Sequence, residues 1–212
     1  MCGIAGLIVK QSDTLPSDLV NMLKELVHRG RDATGLALYE QRDDIQARIS
    51  MTDPAFETDL QNIVKKYGRI TKSKVYRGGG IFSFFEGSID MDPGLLSSLQ
   101  WDIDSAENLC VHSLGKQIKV YKDQGSAEDL LQFHEIKAGR CTHGIGHVRL
   151  ATESVENINF AHPFVSYIYP ELSLVHNGQF TNYFKMRRKL ESLGIRFKTA
   201  NDTEMAAHFI AY

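Results

Sequence analysis

The chain begins Met1-Cys2-Gly3-Ile4-Ala5-Gly6-Leu7-Ile8-Val9, an apolar run with a cysteine at its second position. If Met1 is removed, Cys2 carries a thiol and a free α-amino group on the same residue. An amine with a pKa of about 7.7–8.0 can accept the thiol proton, directly or through a water, so one residue could supply a nucleophile and its base. The same run also fits a buried strand in which Cys2 is a small apolar side chain. Both interpretations stay open from these nine residues alone.

The composition is that of an ordinary folded protein. The 212 residues are 42% hydrophobic, which is enough for a substantial core. A net charge of −2, with both signs interspersed, gives no basic patch for nucleic acid or an anionic membrane. The opening apolar run is too short for a secretory signal or a membrane span. We therefore expect a cytoplasmic protein that binds neither nucleic acid nor membrane.

The residues that most often hold metals or cofactors have the wrong spacing here. The cysteines at positions 2, 110 and 141 are far apart and form no Cys-x-x-Cys pair, which argues against a disulfide framework, a zinc site or an iron–sulfur site. The glycines at 78–80 lack the spacing of a dinucleotide loop and the lysine of a phosphate loop. We predict no metal and no cofactor.

Hydrophobic spacing predicts helices and strands distributed along the whole chain. Helices are predicted over 14–28, 53–68, 126–134 and 183–193, after Asp92, and from Asn201 onward. Strands are predicted over the opening run and over 36–39, 45–51, 142–152, 172–178 and 195–198, with hairpins around 78–80 and 114–116. This mixture predicts an α+β fold.

Six short blocks of polar residues and glycines follow one another along the chain. They are Cys2-Gly3-Ile4, His28-Arg29-Gly30 with Asp32 and Gly35, Gly146-His147-Val148-Arg149-Leu150-Ala151-Thr152, Ala161-His162-Pro163-Phe164, Val175-His176-Asn177-Gly178, and Asn201-Asp202-Thr203-Glu204. In this order they resemble the motifs of class II glutamine amidotransferases, whose glutaminase domains are N-terminal nucleophile hydrolases. The phrase Thr152-Glu153-Ser154 and the long middle segment look most like glutamate-synthase-type glutaminase chains, such as the small glutaminase subunit of N-methylglutamate synthase. The resemblance implies a four-layer α/β/β/α sandwich over residues 1–212, with 45–140 as an elaboration. We also expect the chain to be the N-terminal part of a longer protein.

The resemblance implies how the reaction would be catalysed. The Cys2 thiol would attack the side-chain amide carbon of L-glutamine, and the α-amine of the same residue would take and return the proton. The side chain of Asn177 and the backbone N–H of Gly178 would form the oxyanion hole, with glycine allowing a strained turn there.

The resemblance also implies how glutamine would be held. Arg149 would bind the α-carboxylate, for which a planar two-donor fork is suited, and Asp202 would hold the α-ammonium. Thr152 would contact the same end of the substrate, while Arg29 and His162 would support the pocket. Taken singly, each position has a plainer interpretation, such as a hairpin turn, a helix cap or a surface charge.

The implied function is that of a glutaminase that releases ammonia for a glutamate-synthase-like partner subunit. Glu153 stands where many compact members have a histidine, which weakens the likeness to the amidophosphoribosyltransferase and hexosamine-synthase branches. Two alternatives remain open at this point. One is the glutaminase domain of an asparagine-synthetase-like or amidophosphoribosyltransferase-like enzyme, and the other is a glutamine-binding regulatory module without turnover.

Overall fold

The computed structural model describes residues 2–136, 139–150 and 158–212, which form helices and antiparallel strands. The strands are β1 (Gly3–Ser12), β2 (Ala33–Glu40), β3 (Ile45–Met51), β4 (Gly68–Arg77), β5 (Ser83–Met91), β6 (Leu109–Gly115), β7 (Ile118–Gln124), β8 (Cys141–Arg149), β9 (Phe164–Val165) and β10 (Ser173–Leu174). The helices are α1 (Leu15–Glu25), α2 (Glu57–Val64), α3 (Leu96–Asp104), α4 (Ala127–Phe133), α5 (Tyr183–Ser192) and α6 (Asp202–Ala211). The mixed α and β architecture expected from the sequence is confirmed.

The first sheet has the strand order β1-β8-β2-β7, and each neighbouring pair is antiparallel. One of its faces packs against α1 and α4 through a buried cluster that includes Leu19, Leu23, Leu36 and Leu130. Glycines in β8 allow this close packing, because a Cβ on Gly146 would lie 2.7 Å from the Leu23 side chain. The sheet therefore presents one apolar face to the helices, and its other face carries a smaller buried cluster of Ala37, Ile118 and Val120.

The second sheet has the strand order β4-β5-β3-β6 and is also antiparallel. Helices α2 and α3 cover one of its faces with Leu60, Leu99 and Ile103, which pack on Ile49 and Phe85. All four strands of this sheet come from the middle segment 45–140, which also supplies β7 of the first sheet.

A buried arginine joins the two sheets. Arg48 of β3 donates from Nε to the carbonyl oxygen of Val120 in β7 (3.0 Å) and from Nη1 to Glu86 (2.7 Å). Its guanidinium also lies over the ring of Tyr121, 4.0 Å from the centroid. A charge with these partners can be buried because its donors are satisfied on both sheets.

The predicted hairpin around 114–116 is wrong, although both of its strands exist. β6 pairs with β3 in the second sheet, whereas β7 pairs with β2 in the first, so the turn carries the chain between sheets. The carboxylate of Glu171 explains how the turn is stabilised, since its Oε1 accepts from the N–H groups of Lys116 (2.6 Å) and Gln117 (2.8 Å). A contact 54 residues away along the chain cannot be inferred from local turn chemistry.

Two further strands differ from expectation. The strand predicted over 172–178 is reduced to Ser173–Leu174, and residues 195–198 form no strand. The α5 helix is confirmed, and it ends as predicted before Gly194, whose φ of +85° suits glycine. Among the described helices, none combines the length and apolar character needed to cross a membrane.

Candidate functional site

The carbonyl oxygen of Cys2 is the point where distant parts of the chain meet. Arg29 donates to it from Nε at 2.9 Å, and Asn177 donates to it from Nδ2, also at 2.9 Å. Arg29 lies in a short 3-10 turn that follows α1, whereas Asn177 follows β10. These two side chains fix the backbone at the partly buried Cys2, whose thiol is not in a disulfide.

Strand register places Arg149 at the same end of the sheet as Cys2. Gly3 pairs with Val148, so Cys2 and Arg149 are the next residues outward on adjacent strands. Side chains alternate along a strand, and Val148 belongs to the cluster on the helix-covered face. Cys2, Arg149 and His147 therefore share the opposite face of the sheet.

A pair of buried histidines lies on that face. The rings of His147 and His162 are 4.3 Å apart between centroids. Burial lowers the pKa of His147 to about 4, with a further contribution from the positive charge of Arg149. Burial also lowers the pKa of His162 to about 2, helped by the charge of a protonated His147. Both imidazoles are therefore neutral at physiological pH, and they pack against each other.

A glycine makes room for His162. Gly35 of β2 pairs with His147 on one side and with Lys122 on the other. A Cβ on Gly35 would lie 2.1 Å from the carbonyl oxygen of His162. No larger residue fits without moving that backbone, so the glycine in the second block has a steric reason.

The N-terminus of α6 brings Asp202 to the site. Asn201 caps the helix, with its side chain accepting from Thr203 N at 2.8 Å, as the sequence predicted. Asp202 is then the first helical residue rather than the cap. Its Oδ2 accepts from Phe180 N at 3.0 Å, and its Oδ1 lies 3.8 Å from His176 Nδ1. Asp202 is thereby tied to the segment that carries Asn177 and Gly178.

Thr203 links the same helix to the histidine pair. Its hydroxyl lies 2.8 Å from His162 Nε2, and both residues are buried. The supporting role expected for His162 therefore has a concrete partner, the first turn of α6.

Gly178 and Asn177 are both exposed to solvent. The φ of Gly178 is not in the left-handed region, so the strained turn expected there is not found. Within the described residues, the Gly178 N–H donates to no protein acceptor. A neighbouring imidazole restricts the position instead, because a Cβ on Gly178 would lie 2.9 Å from His176 Nε2.

The structure thus brings most of the predicted residues to one region. Cys2, Arg29 and Asn177 are joined by hydrogen bonds, and Asp202 and His162 are joined through α6. Thr152 lies outside the described residues. In the described part of the chain, the Arg149 side chain makes no hydrogen bond or ion pair with another residue. Its backbone is held, since Arg149 O accepts from Asp32 N at 3.1 Å.

Sequence reasoning missed two residues of this region. His147 and Thr203 both stand in the motif blocks, but the sequence assigns a role to neither of them. Strand alternation offered a signal for His147, which is two residues before Arg149. Nothing local indicated the contact of Thr203 with a histidine 41 positions away.

The residues that the structure describes contain no group of three or more His, Cys, Asp or Glu side chains that could hold a metal ion. The side chains described in this region supply a thiol, neutral imidazoles, an amide, a guanidinium and a carboxylate. Those groups suit nucleophilic attack on an amide and binding of an amino acid.

Comparison with known proteins assigns the family. Residues 119–211 match the family model described as a glutamine amidotransferase domain. A protein of Methanothermobacter thermautotrophicus, named provisionally as a glutamine amidotransferase, is 34% identical over 219 residues, covering 100% of this chain and 72% of its own. The glutamine amidotransferase-like protein GlxB of Rhizobium meliloti is 30% identical, covering 99% of this chain and 69% of its own.

A third relative is the glutamine–fructose-6-phosphate aminotransferase of Bacteroides thetaiotaomicron. It is 37% identical over 109 residues, which cover 51% of this chain and 17% of the relative. With relatives that align over its whole length, the chain belongs to the glutamine amidotransferase family.

Proposed function

We propose that this chain is a class II glutaminase domain in which Cys2, freed by removal of Met1, hydrolyses L-glutamine to glutamate and ammonia. The observation that carries the proposal is the pair of 2.9 Å hydrogen bonds from Arg29 and Asn177 to the Cys2 carbonyl oxygen. If Cys2 served only for packing, its backbone would not need to be fixed by two polar side chains, one of them 175 positions away.

The proposed reaction has two stages. The α-amine of Cys2 takes the thiol proton, and the thiolate attacks the side-chain amide carbon to give a tetrahedral oxyanion. The C–N bond then breaks, the amine returns the proton to the leaving nitrogen, and ammonia departs from a γ-glutamyl thioester. Water, deprotonated by the same amine, attacks the thioester carbon, and glutamate leaves as the thiol is restored.

The oxyanion would be held by Asn177 and Gly178. An amide nitrogen carries two hydrogens, so Asn177 can keep one bond to Cys2 O and direct the other toward the substrate. The Gly178 N–H, which is exposed and without a protein acceptor in the described residues, would supply the second donor. Donors fixed before the reaction stabilise the developing charge at little reorganisation cost.

Glutamine selectivity would come from charges at the amino-acid end. Arg149 has a guanidinium without a partner in the described part of the chain, on the sheet face that also carries Cys2. It would bind the α-carboxylate, and Asp202 would hold the α-ammonium, with Thr152 adding a contact. The α-carboxylate and the α-ammonium group of glutamine would then each contact a side chain of opposite charge.

We propose that the ammonia passes to a glutamate-synthase-like partner subunit. This chain would then be of the same type as the small glutaminase subunit of N-methylglutamate synthase. The match to the glutamine–fructose-6-phosphate aminotransferase covers only 17% of that relative, so it supports a role in using glutamine and none in acting on fructose 6-phosphate. We also propose that the layers described above form the α/β/β/α sandwich of N-terminal nucleophile hydrolases, with 45–140 as the elaboration.

The direct kinetic test is glutamate and ammonia release by the purified chain and two cysteine variants. We expect Cys2→Ala to lower kcat by at least ~1000-fold, because no other group replaces the nucleophile. Cys110→Ala is the matched control, since Cys110 is buried and its pKa is raised by burial to about 11, which makes its thiol inert. Equal ammonia release by Cys2→Ala and the unaltered chain would refute the proposal.

A further inference from the structure

The loop that precedes α6 is bound by a buried carboxylate of the helix itself. Glu204 accepts from the backbone N–H of Lys198 and of Thr199, each at 2.7 Å, and from the Thr199 hydroxyl. Burial alone would raise the pKa of this carboxyl, but the His208 imidazole, whose Nε2 lies 3.6 Å from Glu204 Oε1, and the hydrogen bonds from Thr199 outweigh burial and lower it. An ionised Glu204 therefore folds the loop back onto the first turn of the helix.

The side chain of Lys198 ties the same loop to the second sheet. Its Nζ donates to Asp104 Oδ1 and to the carbonyl oxygen of Leu109, both at 2.7 Å. Asp104 ends α3 and also accepts from Val111 N at 2.9 Å. Only 11% of the Asp104 side chain is exposed, so its charge depends on Lys198 for compensation. The middle segment thus has a charged, partly buried attachment to the C-terminal segment.

Hydrogen bonds connect the loop to the N-terminus of α6, where Asp202 lies. The Thr199 hydroxyl accepts from Asn201 N at 3.1 Å, and Asn201 caps the helix that begins at Asp202. From the other side, Arg187 Nη1 donates to the Thr199 carbonyl oxygen at 2.7 Å. A shift of Lys198 would therefore move Thr199 and the cap, and with them the carboxylate of Asp202.

We propose that Lys198, through its side-chain attachment to Asp104 and Leu109 and its backbone bond to Glu204, is a positioning residue for Asp202 and so sets the affinity for the α-ammonium group of glutamine. This inference rests on the proposed function, in which Asp202 holds that group. Lys198 itself does not touch the substrate. It fixes the loop from which α6 starts, and it makes the middle segment necessary for selective binding.

The test compares glutamine with 5-amino-5-oxopentanoate, which is glutamine without its α-amino group. Lys198→Met keeps the apolar stem and removes the ammonium, and Asp104→Asn removes the partner charge at the same size. We expect each variant to raise KM for glutamine about ten-fold with kcat within about two-fold, and to change kcat/KM for the analogue by less than about two-fold. Lys198→Arg should restore most of the affinity, and Lys185→Met on the exposed face of α5 is the matched control.

Hydrogen exchange gives a readout that does not need turnover. The N–H groups of Thr199, Asn201 and Thr203 should exchange at least about ten-fold faster in Lys198→Met and Asp104→Asn than in the unaltered chain. Unchanged exchange, or equal losses toward glutamine and its analogue, would overturn the inference while leaving the glutaminase proposal in place. An unaltered chain that does not hydrolyse glutamine would count against the proposed function itself and would remove the role of Asp202 with it.

Discussion

The side-chain amide of Asn177 donates a 2.9 Å hydrogen bond to the carbonyl oxygen of Cys2, joining the second residue of the chain to one 175 positions later. Arg29 donates to the same oxygen. The bond places a candidate oxyanion donor next to a candidate nucleophile before any substrate arrives.

Asn177→Ala tests that relationship. Removing the amide takes away an oxyanion donor, and we expect kcat for glutamine to fall about 10²–10³-fold with a small change in KM. Asn182→Ala is a matched control, because Asn182 is exposed and its side chain makes no capping hydrogen bond to α5. Steady-state kinetics distinguish the two variants. An Asn177→Ala chain that keeps its kcat would exclude the oxyanion role.

Arg149→Ala tests the carboxylate clamp. Losing a charge-assisted pair costs about 1.5–3 kcal/mol, so kcat/KM for glutamine should fall about 10–150-fold. The preference for glutamine over simple primary amides should fall by the same factor, because those amides have no α-carboxylate. Arg188→Ala, on the exposed surface of α5, should leave both values unchanged. If selectivity survives in Arg149→Ala, another residue binds the carboxylate.

Gly35→Ala tests the packing behind the histidine pair. The new methyl group would lie 2.1 Å from the His162 carbonyl oxygen, a backbone atom that cannot rotate away. We expect a loss of about 1–3 kcal/mol in the free energy of unfolding, measured by urea denaturation. Gly6→Ala is the control, because the nearest atoms to its Cβ would be 3.8 Å away. Equal stability of the two variants would show that the backbone at His162 can move freely.

Lys122→Met tests the cost of a buried amine. Burial lowers the pKa of Lys122 to about 8 from 10.5, so below pH 8 the folded protein carries a charge that the unfolded chain solvates better. We expect the variant to be more stable at pH 7 by about 2–3 kcal/mol, a gain that shrinks as the pH rises from about 8 to about 10.5.

Urea denaturation at about pH 7 and about pH 10 measures the Lys122→Met effect, with the exposed Lys10→Met as control. A gain that does not depend on pH would mean that improved packing, rather than lost charge, explains the result.

Local patterns predicted most elements of this fold but not how they pair. The alternation Ile45, Ala47, Ile49 and Met51 predicted β3 correctly, because every second residue faces a core. The hairpin at 114–116 was predicted wrongly, because two strands joined by a short turn usually pair with each other. The contact of the Glu171 carboxylate with this turn cannot be inferred from the local sequence.

Some side chains of the last third also behave differently from their sequence pattern. The guanidinium of Arg187 on α5 lies 4.4 Å from the centroid of Phe197 and donates to the Thr199 carbonyl oxygen, contacts that the spacing of residues in the helix does not indicate. In the candidate site, too, the sequence indicates the residues but not their contacts. The motifs indicated which residues matter, whereas the contacts of Asn177 with Cys2 and of Thr203 with His162 depend on the tertiary fold.

The most direct test of the central claim is the intact mass of the chain, with peptide mapping, before and after incubation with a diazo-ketone analogue of glutamine. We predict loss of Met1 and one adduct confined to Cys2, with no adduct in Cys2→Ala and normal labelling of Cys110→Ala. Retention of Met1 with no adduct at Cys2 would contradict the claim, because the amine would be blocked and the thiol would not lie in a glutamine-binding pocket.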